Sequence, residues 1–330
     1  MSQKTSVFIT GATGYIGGAI LHLLLQQSDL SVSALVRGEE NAKKLKSLNV
    51  EPILGSLDST DIIVKAASQA DIVINTANVD HIGSAQAIID GLRKRGSVNG
   101  KKPILLHTSG TAVLNDPPLG ERSETFRTES DLGNTEGSIA LDAPHRDVDI
   151  LVLNASKTGD VDIAIICPCM IYGVAEGNTF NQRSQQIPLT INAAIKEGKV
   201  YYVGKGKHVW NNVHVLDLAD LFLLLLRKIQ EGKAPIGTDG YYFAENGEND
   251  FIEITTAISN ELKKNGLQAE PASSEGKEFE IWGNFAHIAL GYNSRGKAEK
   301  ARTLGWKPSR PSLVETIPEE VQYRVQKNKA

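Results

Sequence analysis

Short apolar runs alternate with amphipathic stretches along the first half of the chain. The runs are rich in Val, Ile and Leu, which is typical of strands buried on both faces of a sheet. The stretches between them repeat apolar residues every three or four positions, as in Ile16, Ile20 and Leu24, which predicts helices that bury one face. The predicted strands are 5–10, 31–36, 51–54, 71–75, 103–108 and 161–166, and the predicted helices are 15–27, 39–48, 60–70, 84–95 and 141–156.

Strands separated by helices imply βαβ crossovers and a parallel sheet that helices cover on both sides. The sequence therefore predicts an α/β fold built on a doubly wound parallel sheet. The alternation stops between residues 110 and 140, in a stretch rich in Gly, Ser, Thr and Glu. A loop of this length in a compact domain is usually functional or mobile. Beyond residue 170 the pattern is mixed, with a strongly apolar helix predicted at 217–229.

Composition and charge narrow the functional classes. Of the 330 residues, 41% are hydrophobic and 22% are charged, which is the balance of a globular protein. The net charge of −4 gives no electrostatic reason to expect binding to nucleic acid or to a membrane surface. The longest apolar run, 221–226, is far shorter than the ~18 residues of a membrane span.

Two further features indicate the compartment. The N-terminus leads directly into a strand and lacks the apolar stretch of a secretory signal. The chain has two cysteines, Cys167 and Cys169, which flank a proline after a strand and are interpreted as buried thiols. Two cysteines cannot build a zinc site alone, so we expect no metal. Together these features favour a reducing compartment, and we expect a cytoplasmic protein.

The strongest motif lies between the first strand and the first helix and reads TGATGYIGG at 10–18. Gly11 permits a tight turn, Gly14 lets the backbone approach a pyrophosphate, and Gly17 lets the helix pack closely on the sheet. The free N–H groups and the partial positive charge of the helix N-terminus then face the phosphates. The sequence predicts a dinucleotide site made by Gly11, Thr13, Gly14, Tyr15, Ile16 and Gly17.

The residue after the second strand distinguishes the two nicotinamide dinucleotides. An acidic residue there binds the ribose hydroxyls of NAD, whereas Arg37 can pair with the 2′-phosphate of NADP. We therefore expect NADP(H) in preference to NAD(H). Leu57 and Asp58, after the third strand, are predicted to border the adenine, and Ala77 and Asn78, after the fourth, to line the nicotinamide ribose. The ordinary polarity of βα loops explains both pairs equally well.

The spacing of these glycines and four later segments resemble the extended type of the short-chain dehydrogenase/reductase superfamily. The segment HTSGT at 107–111 resembles the end of the fifth strand, which carries a Ser or Thr in the family. The segment CPCMIYG at 167–173 resembles the turn after the sixth strand. The segments VHVLDLA at 213–219 and LGWKP at 304–308 resemble two further parts of the family pattern, so the resemblance covers most of the chain.

The resemblance implies a Rossmann core at 1–170 that binds NAD(P), and mainly a substrate lobe at 171–330, of which about 205–235 return to the core. It implies Thr108 and Pro168 as further cofactor contacts. The family includes NADP(H) reductases of ketones and aldehydes, sugar-nucleotide epimerases and dehydratases, and proteins that bind a dinucleotide without turnover. Its members often pair through the helices that flank strands five and six, so the resemblance also implies a homodimer.

The family's proton-transferring pair, a Tyr followed four residues later by a Lys, is absent from this sequence. Counted back from Pro168, the Tyr position falls near Leu141 and the Lys position near His145. The sequence contains no tyrosine between Tyr15 and Tyr172. In the family the Lys and the nicotinamide ribose lower the Tyr pKa, so that the phenol exchanges a proton with the substrate oxygen.

Four side chains are candidates to replace this pair. His145 can exchange a proton near neutral pH and is the candidate acid, but a helix that starts at Pro144 explains the same residues equally well. Ser109 or Thr111 can hydrogen-bond a substrate carbonyl, and Tyr172 lies on the loop after the sixth strand.

Three functions are compatible with these observations. The first is an NADP(H)-dependent oxidoreductase that acts on a small carbonyl or alcohol substrate with a non-standard proton donor. The second is a dinucleotide-binding sensor or scaffold without turnover, which the missing Tyr and Lys favour. The third is a redox-neutral isomerase or lyase on the same fold. We expect the first, with a small-molecule substrate as the partner.

Overall fold

The computed structural model describes residues 4–98, 100–125, 127–133, 135–283 and 291–329. Its strands are β1 (Thr5–Thr10), β2 (Leu30–Val36), β3 (Glu51–Leu54), β4 (Ile72–Asn75), β5 (Ile104–Thr108), β6 (Glu129–Ser130), β7 (Asp162–Pro168), β8 (Met170–Tyr172), β9 (Lys199–Tyr202), β10 (Val209–His214), β11 (Tyr241–Ala244), β12 (Glu248–Asp250), β13 (Glu270–Ser273) and β14 (Gly296–Lys297). Its helices are α1 (Tyr15–Leu25), α2 (Glu39–Ser47), α3 (Thr60–Ala67), α4 (Ile82–Arg95), α5 (Thr135–Ser138), α6 (Arg146–Ser156), α7 (Gln186–Glu197), α8 (Val215–Gln230), α9 (Phe251–Lys264), α10 (Glu278–Trp282), α11 (Glu299–Thr303) and α12 (Leu313–Lys329). Short 3₁₀ helices occupy Thr111–Leu114 and Gly237–Asp239.

A seven-stranded sheet in the order β3-β2-β1-β4-β5-β7-β11 forms the centre of the molecule. Every neighbouring pair in it is parallel, which confirms the predicted α/β fold with a doubly wound sheet. The chain winds in one direction from β1 to β3 and in the other from β4 onward. The order therefore reverses between β1 and β4, and the crevice at the carboxyl ends of these strands is where such sheets bind ligands.

The apolar runs of the sequence are explained by burial on both faces of this sheet. Strands β4, β5 and β11 are buried at every residue. Helices α1 and α8 pack against each other, and α3, α4 and α6 pack as a second group. Each buried Val, Leu, Ile or Phe side chain stabilises the fold by roughly 1.5–3 kcal/mol relative to an exposed one. Among the described residues, no helix is long and apolar enough to cross a bilayer.

Helix α8 also holds the start of the C-terminal helix in place. The carboxylate of Asp217 accepts hydrogen bonds from the backbone N–H groups of Ser309 and Arg310, at 3.0 and 3.1 Å. The indole of Trp306 donates to the Asp217 carbonyl at 2.9 Å. These contacts give a structural role to the Asp and Trp of the segments at 213–219 and 304–308, because both fix the chain that leads into α12.

The helix predicted at 141–156 is shorter in the structure and begins at Arg146. His145, the N-cap residue, has a φ of 68°, in the left-handed region that non-glycine residues seldom adopt. A helix cannot continue through this backbone conformation, so residues 141–145 form a turn instead. Leu141, which stands at the family's Tyr position, lies outside the helix and is 75% exposed.

Candidate active site

Close backbone contacts require the glycines of the loop between β1 and α1. Gly11 has a φ of +77°, and a Cβ atom on it would lie 2.7 Å from the backbone of Thr76. The N–H of Gly14 donates to the Gly11 carbonyl at 2.8 Å. A Cβ atom on Gly17 would lie 2.2 Å from that same carbonyl oxygen. The loop therefore folds tightly under α1 only with glycine at positions 11 and 17.

The first turn of α1 keeps its backbone amides available for an anion. Gly14 is the N-cap and makes no side-chain cap, and the first turn contains no acidic residue. Thr13, Tyr15 and Ile16 are half-buried around this turn. Since the first N–H groups of a helix lack intrahelical partners, the loop fits the pyrophosphate of a dinucleotide.

Two side chains hold α1 from the far side of the loop. The amide Nδ2 of Asn178 donates to the carbonyl of Gly14 at 3.0 Å, and Gly18 leaves the space that this amide fills. The phenol of Tyr15 donates to the Gly173 carbonyl at 2.6 Å. Burial raises the pKa of Tyr15 well above its ordinary value, so this phenol stays neutral and acts as a structural anchor.

The predicted contacts to the adenosine half lie at the ends of β2 and β3. Arg37 is exposed, and its guanidinium has no hydrogen-bond or ion-pair partner within the described part of the chain. Leu57 is half-buried, and the exposed Asp58 faces the ring Nε2 of His81 at 3.1 Å. The free guanidinium is compatible with a 2′-phosphate at this edge of the sheet.

The loop after β4 carries the predicted contacts to the nicotinamide ribose. Ala77 is half-buried and Asn78 is exposed. The Asn78 side-chain oxygen accepts a hydrogen bond from the Asp80 N–H at 3.1 Å, which closes a tight turn. Asp80 therefore lies only two residues beyond Asn78, the second of the predicted ribose contacts.

Asp80 and His145 form a carboxylate–imidazole pair at the carboxyl edge of the sheet. The ring Nδ1 of His145 lies 2.7 Å from Oδ1 of Asp80, and the His145 side chain is 21% exposed. A carboxylate at Nδ1 favours a proton on that nitrogen and leaves Nε2 as the exchanging atom. A Cβ atom on Gly110 would lie 3.3 Å from Nε2 and 3.9 Å from the Pro168 carbonyl. The structure thus brings together His145, the end of β5 and the end of β7.

A row of buried, hydrogen-bonded polar side chains crosses the sheet next to the Asp80–His145 pair. Thr10 donates to Oδ1 of Asn75 at 2.5 Å, and Nδ2 of Asn75 lies 3.1 Å from Nδ1 of His107. The three residues are register partners on β1, β4 and β5. Burial and, to a smaller extent, the neighbouring His145 lower the pKa of His107 to about 4, so this ring is neutral near pH 7.

Asp149 connects α6 to the ends of two strands. Its carboxylate is fully buried and accepts hydrogen bonds from Ser109 Oγ, at 2.8 Å, and from the phenol of Tyr241. Burial raises the pKa of Asp149 to about 6, although the two hydrogen bonds oppose this shift. Asp149 follows His145 by one helical turn, and its N–H donates to the His145 carbonyl at 3.2 Å. The cluster fixes the first turn of α6 against Ser109.

The other predicted site residues lie in separate surroundings. Thr111 is buried, and its hydroxyl accepts a hydrogen bond from the indole of Trp210 at 3.1 Å. The phenol of Tyr172 donates to the Pro311 carbonyl at 2.9 Å, and burial raises its pKa above the ordinary value. Thr108 is buried, and its hydroxyl has no partner among the described residues. Thr111 and Tyr172 are therefore both engaged in contacts with later segments of the chain.

Sequence reasoning did not single out Asp80, Gly110 or Asp149. A carboxylate in the loop after a parallel strand was a usable signal for Asp80, because such loops converge at one edge of the sheet. Asp149 stands beside the apolar face of its helix, and an acid there is a signal for a buried polar cluster. Within the ranges that the structure describes, no group of His, Cys, Asp and Glu could hold a metal ion.

Two family models match separate parts of the chain that contribute to this site. The model of the NmrA-like family matches residues 3–100, which contain the glycine loop, Arg37 and Asp80. The model of the NAD dependent epimerase/dehydratase family matches residues 141–237, which contain His145 and Asp149.

Among curated proteins, an oxidase of Acremonium sp, ucsJ, is 31% identical, with 99% of each chain covered. A 4-hydroxy-2-methyl-3-oxo-4-farnesyl-3,4-dihydroquinoline-1-oxide ketoreductase of Stigmatella aurantiaca is 26% identical and covers 80% of this chain and 74% of its own. These relatives and the two families support an NAD(P)-dependent, oxidoreductase-like function.

Solved structures show the same fold over the whole chain. A dTDP-glucose 4,6-dehydratase from Bacillus anthracis in complex with NAD has a TM-score of 0.69 at 17% identity, with 98% of each chain covered. A UDP-glucose 4-epimerase from Thermotoga maritima has a TM-score of 0.68 at 14% identity, with 99% of this chain and 100% of the other covered. With the glycine loop, the strand order and the full-length relative at 31% identity, these likenesses show that the chain belongs to the extended short-chain dehydrogenase/reductase superfamily.

Proposed function

We propose that this protein is an NADP(H)-dependent oxidoreductase that acts on a small carbonyl or alcohol substrate and uses His145 as its proton donor. The observation that carries the proposal is the contact between His145 and Asp80, 2.7 Å apart. Asp80 follows the predicted nicotinamide-ribose contacts Ala77 and Asn78, and the other ring nitrogen of His145 adjoins Gly110. A proton donor therefore stands at the carboxyl edge that also holds the dinucleotide loop.

The chemistry divides between the cofactor and the protein. A nicotinamide dinucleotide, when bound at the glycine loop, would supply the hydride for the carbonyl carbon. Nε2 of His145 gives its proton to the carbonyl oxygen, which completes the alcohol, and Asp80 stabilises the imidazolium from which that proton comes. The partly exposed ring then regains a proton from water. Oxidation of an alcohol follows the same steps in reverse.

The preference for NADP(H) is supported by the exposed Arg37 at the end of β2. A guanidinium can bind a 2′-phosphate through two parallel hydrogen bonds, whereas the ribose of NAD offers no such charge. The ketoreductase among the relatives supports a carbonyl substrate, because its name describes the reduction of a ketone.

The test compares His145→Gln with the wild-type protein on a panel of aldehydes, ketones and alcohols, followed by NADPH absorbance. Glutamine keeps a hydrogen bond to Asp80 but cannot donate a proton, so we expect kcat/KM to fall about 10²–10⁴-fold. NADPH affinity, measured by calorimetry, should stay unchanged. His22→Gln, on the last turn of α1, is the control and should behave as wild type. Equal turnover by His145→Gln and wild type would refute His145 as the donor.

A dinucleotide sensor without turnover is the second candidate, and the exposed Leu141 favours it. In this structure the residue at the family's Tyr position points to no buried site, because 75% of its surface is exposed. A sensor binds NADPH with full affinity and turns over no compound of the panel. Turnover that depends on His145 excludes this alternative.

A further inference from the structure

The segment between β8 and α7, residues 173–185, packs against the first turn of α1. Asn178 of this segment is buried, with 2% of its surface exposed. A Cβ atom on Gly18 would lie 2.2 Å from Nδ2 of Asn178, so glycine at that position makes room for the amide. Further along the segment, Arg183 donates to Glu320 of α12 at 2.9 Å. The segment therefore connects the C-terminal helix to the start of α1.

The hydrogen bonds of Asn178 fix the direction in which its amide points. Nδ2 donates to the carbonyls of Gly14 at 3.0 Å and Tyr15 at 3.3 Å, and also to the Asn181 carbonyl at 2.5 Å. The side-chain oxygen accepts from the N–H of Phe180 at 2.8 Å. A reversed amide would place its oxygen against three carbonyl oxygens. One hydrogen of Nδ2 therefore serves Asn181, and the two carbonyls of α1 share the other.

These two carbonyls belong to the peptide groups whose N–H ends open α1. The Gly14 carbonyl shares a peptide group with the Tyr15 N–H, and the Tyr15 carbonyl shares the next one with the N–H of Ile16. Both N–H groups lie in the first turn of the helix, where amides lack intrahelical partners and are available to an anion. A hydrogen bond accepted at the carbonyl end polarises a peptide group and strengthens donation at its N–H end.

We propose that Asn178 is a positioning residue for the dinucleotide, which it serves by orienting and polarising the two peptide groups that donate to the pyrophosphate. This inference rests on the dinucleotide of the proposed function and does not depend on turnover. Hydrogen bonds to a charged acceptor are the strong ones, so polarising two of them by a modest fraction changes affinity measurably. The affinity of the glycine loop is thereby set in part by a segment far along the chain.

The test measures binding of NADPH and of adenosine 2′-monophosphate to Asn178→Leu by calorimetry. Leucine has a similar volume but no donor, so NADPH affinity should fall about three- to tenfold. Adenosine 2′-monophosphate has no pyrophosphate, and its affinity should stay unchanged. With a substrate from the carbonyl panel, the KM for NADPH should rise by the same factor while kcat stays constant. Asn181→Leu, an exposed position in the same segment, is the matched control and should bind NADPH like wild type.

Each outcome separates this inference from the proposed function. Equal NADPH affinity of Asn178→Leu and Asn181→Leu overturns the inference alone. An equal loss for NADPH and adenosine 2′-monophosphate also overturns it, because the substitution has then deformed the whole site. A wild-type protein that binds NADPH and turns over no compound of the panel counts against the proposed function alone.

Gly18→Ala removes the same contact from the side of the helix. The new Cβ atom would lie 2.2 Å from Nδ2 of Asn178 and force the amide away, although alanine is the better helix former. NADPH affinity should therefore fall as in Asn178→Leu, even where the helix itself is stabilised. The double variant Gly18→Ala/Asn178→Ala should lose no more affinity than Gly18→Ala, because the contact is already absent. A Gly18→Ala protein with wild-type NADPH affinity, or an additional loss in the double variant, overturns the inference.

Discussion

Two segments of the molecule lead directly into the first turn of a helix. One is the loop between β1 and α1, and the other is the turn before α6. In the loop, glycines are required by contacts of the backbone with itself, such as that of Gly17 with the Gly11 carbonyl. In the turn, a non-glycine residue, His145, occupies the left-handed region at a φ of 68°. The first segment keeps the family's pattern and the second departs from it.

The difference shows which parts of the fold tolerate change. The loop between β1 and α1 accepts only glycine at its closest contacts, because backbone approaches backbone there and leaves no room for a side chain. The proton donor only has to present an exchangeable proton at the edge of the sheet, and several side chains can do so from different backbone positions. Strain at a non-glycine residue such as His145 persists only where the surroundings fix it, and Asp80 and Asp149 provide that fixation on either side.

Gly17→Ala should have the largest effect of the changes considered, and it tests whether the loop between β1 and α1 requires glycine. The added Cβ atom would lie 2.2 Å from the Gly11 carbonyl oxygen and 2.4 Å from Thr76 Oγ1, so the loop must move away from α1. We expect the free energy of unfolding to fall by roughly 1–3 kcal/mol and NADPH affinity to drop more than tenfold. Urea unfolding and calorimetry measure the two effects.

Gly83→Ala, in the first turn of α4, is the matched control for this change. Its nearest neighbour would be 3.5 Å from the new Cβ atom, which is an ordinary contact, so stability and NADPH affinity should match those of wild type. If Gly17→Ala bound NADPH as tightly as Gly83→Ala, close packing of the loop would not be a requirement for the dinucleotide.

The turn before α6 is tested by the pH dependence of the free energy of unfolding of Asp149→Asn. Burial raises the pKa of Asp149 to about 6 in the folded protein, against about 3.9 in an unfolded chain. Between these values the folded protein holds a proton that the unfolded chain has lost. The contribution of Asp149 therefore lowers the free energy of unfolding of the wild-type protein, by an amount on the order of 2–3 kcal/mol, as the pH rises from about 4 to about 6.

Asparagine cannot ionise, so Asp149→Asn should show a decrease that is smaller by this amount. Urea unfolding at several pH values measures the difference, in which the contribution of the other buried carboxyl with a raised pKa, Asp131, cancels. Asp147→Asn, an exposed position on the same helix, should retain the wild-type pH dependence. Parallel pH profiles for Asp149→Asn and wild type would mean that Asp149 is not the buried acid described here.

The sheet and the glycine loop could be predicted from the sequence because both depend on local patterns. Continuous apolar runs gave β1 to β5 and β7 within a few residues, and the glycine spacing gave the loop. The division of the chain near residue 170 stays a prediction. The contact between Asp80 and His145 joins residues 65 positions apart, and no periodicity encodes it. The prediction of a helix over residues 141–145 was wrong, because the φ of His145 depends on such distant contacts and not on helix propensity.

Arg37→Ser is the mildest change and sharpens the first half of the comparison. We propose that the glycine loop serves either dinucleotide and that Arg37 contacts only the 2′-phosphate that distinguishes them, so we expect NADP affinity to fall about tenfold and NAD affinity to stay constant. Because Arg37 is exposed, salt should weaken the NADP preference of wild type and leave the variant nearly unaffected. Lys46→Ser, an exposed cation on α2, is the control and should change neither affinity. Equal losses for NADP and NAD would place Arg37 among the residues that shape the loop and remove it as the residue that selects the cofactor.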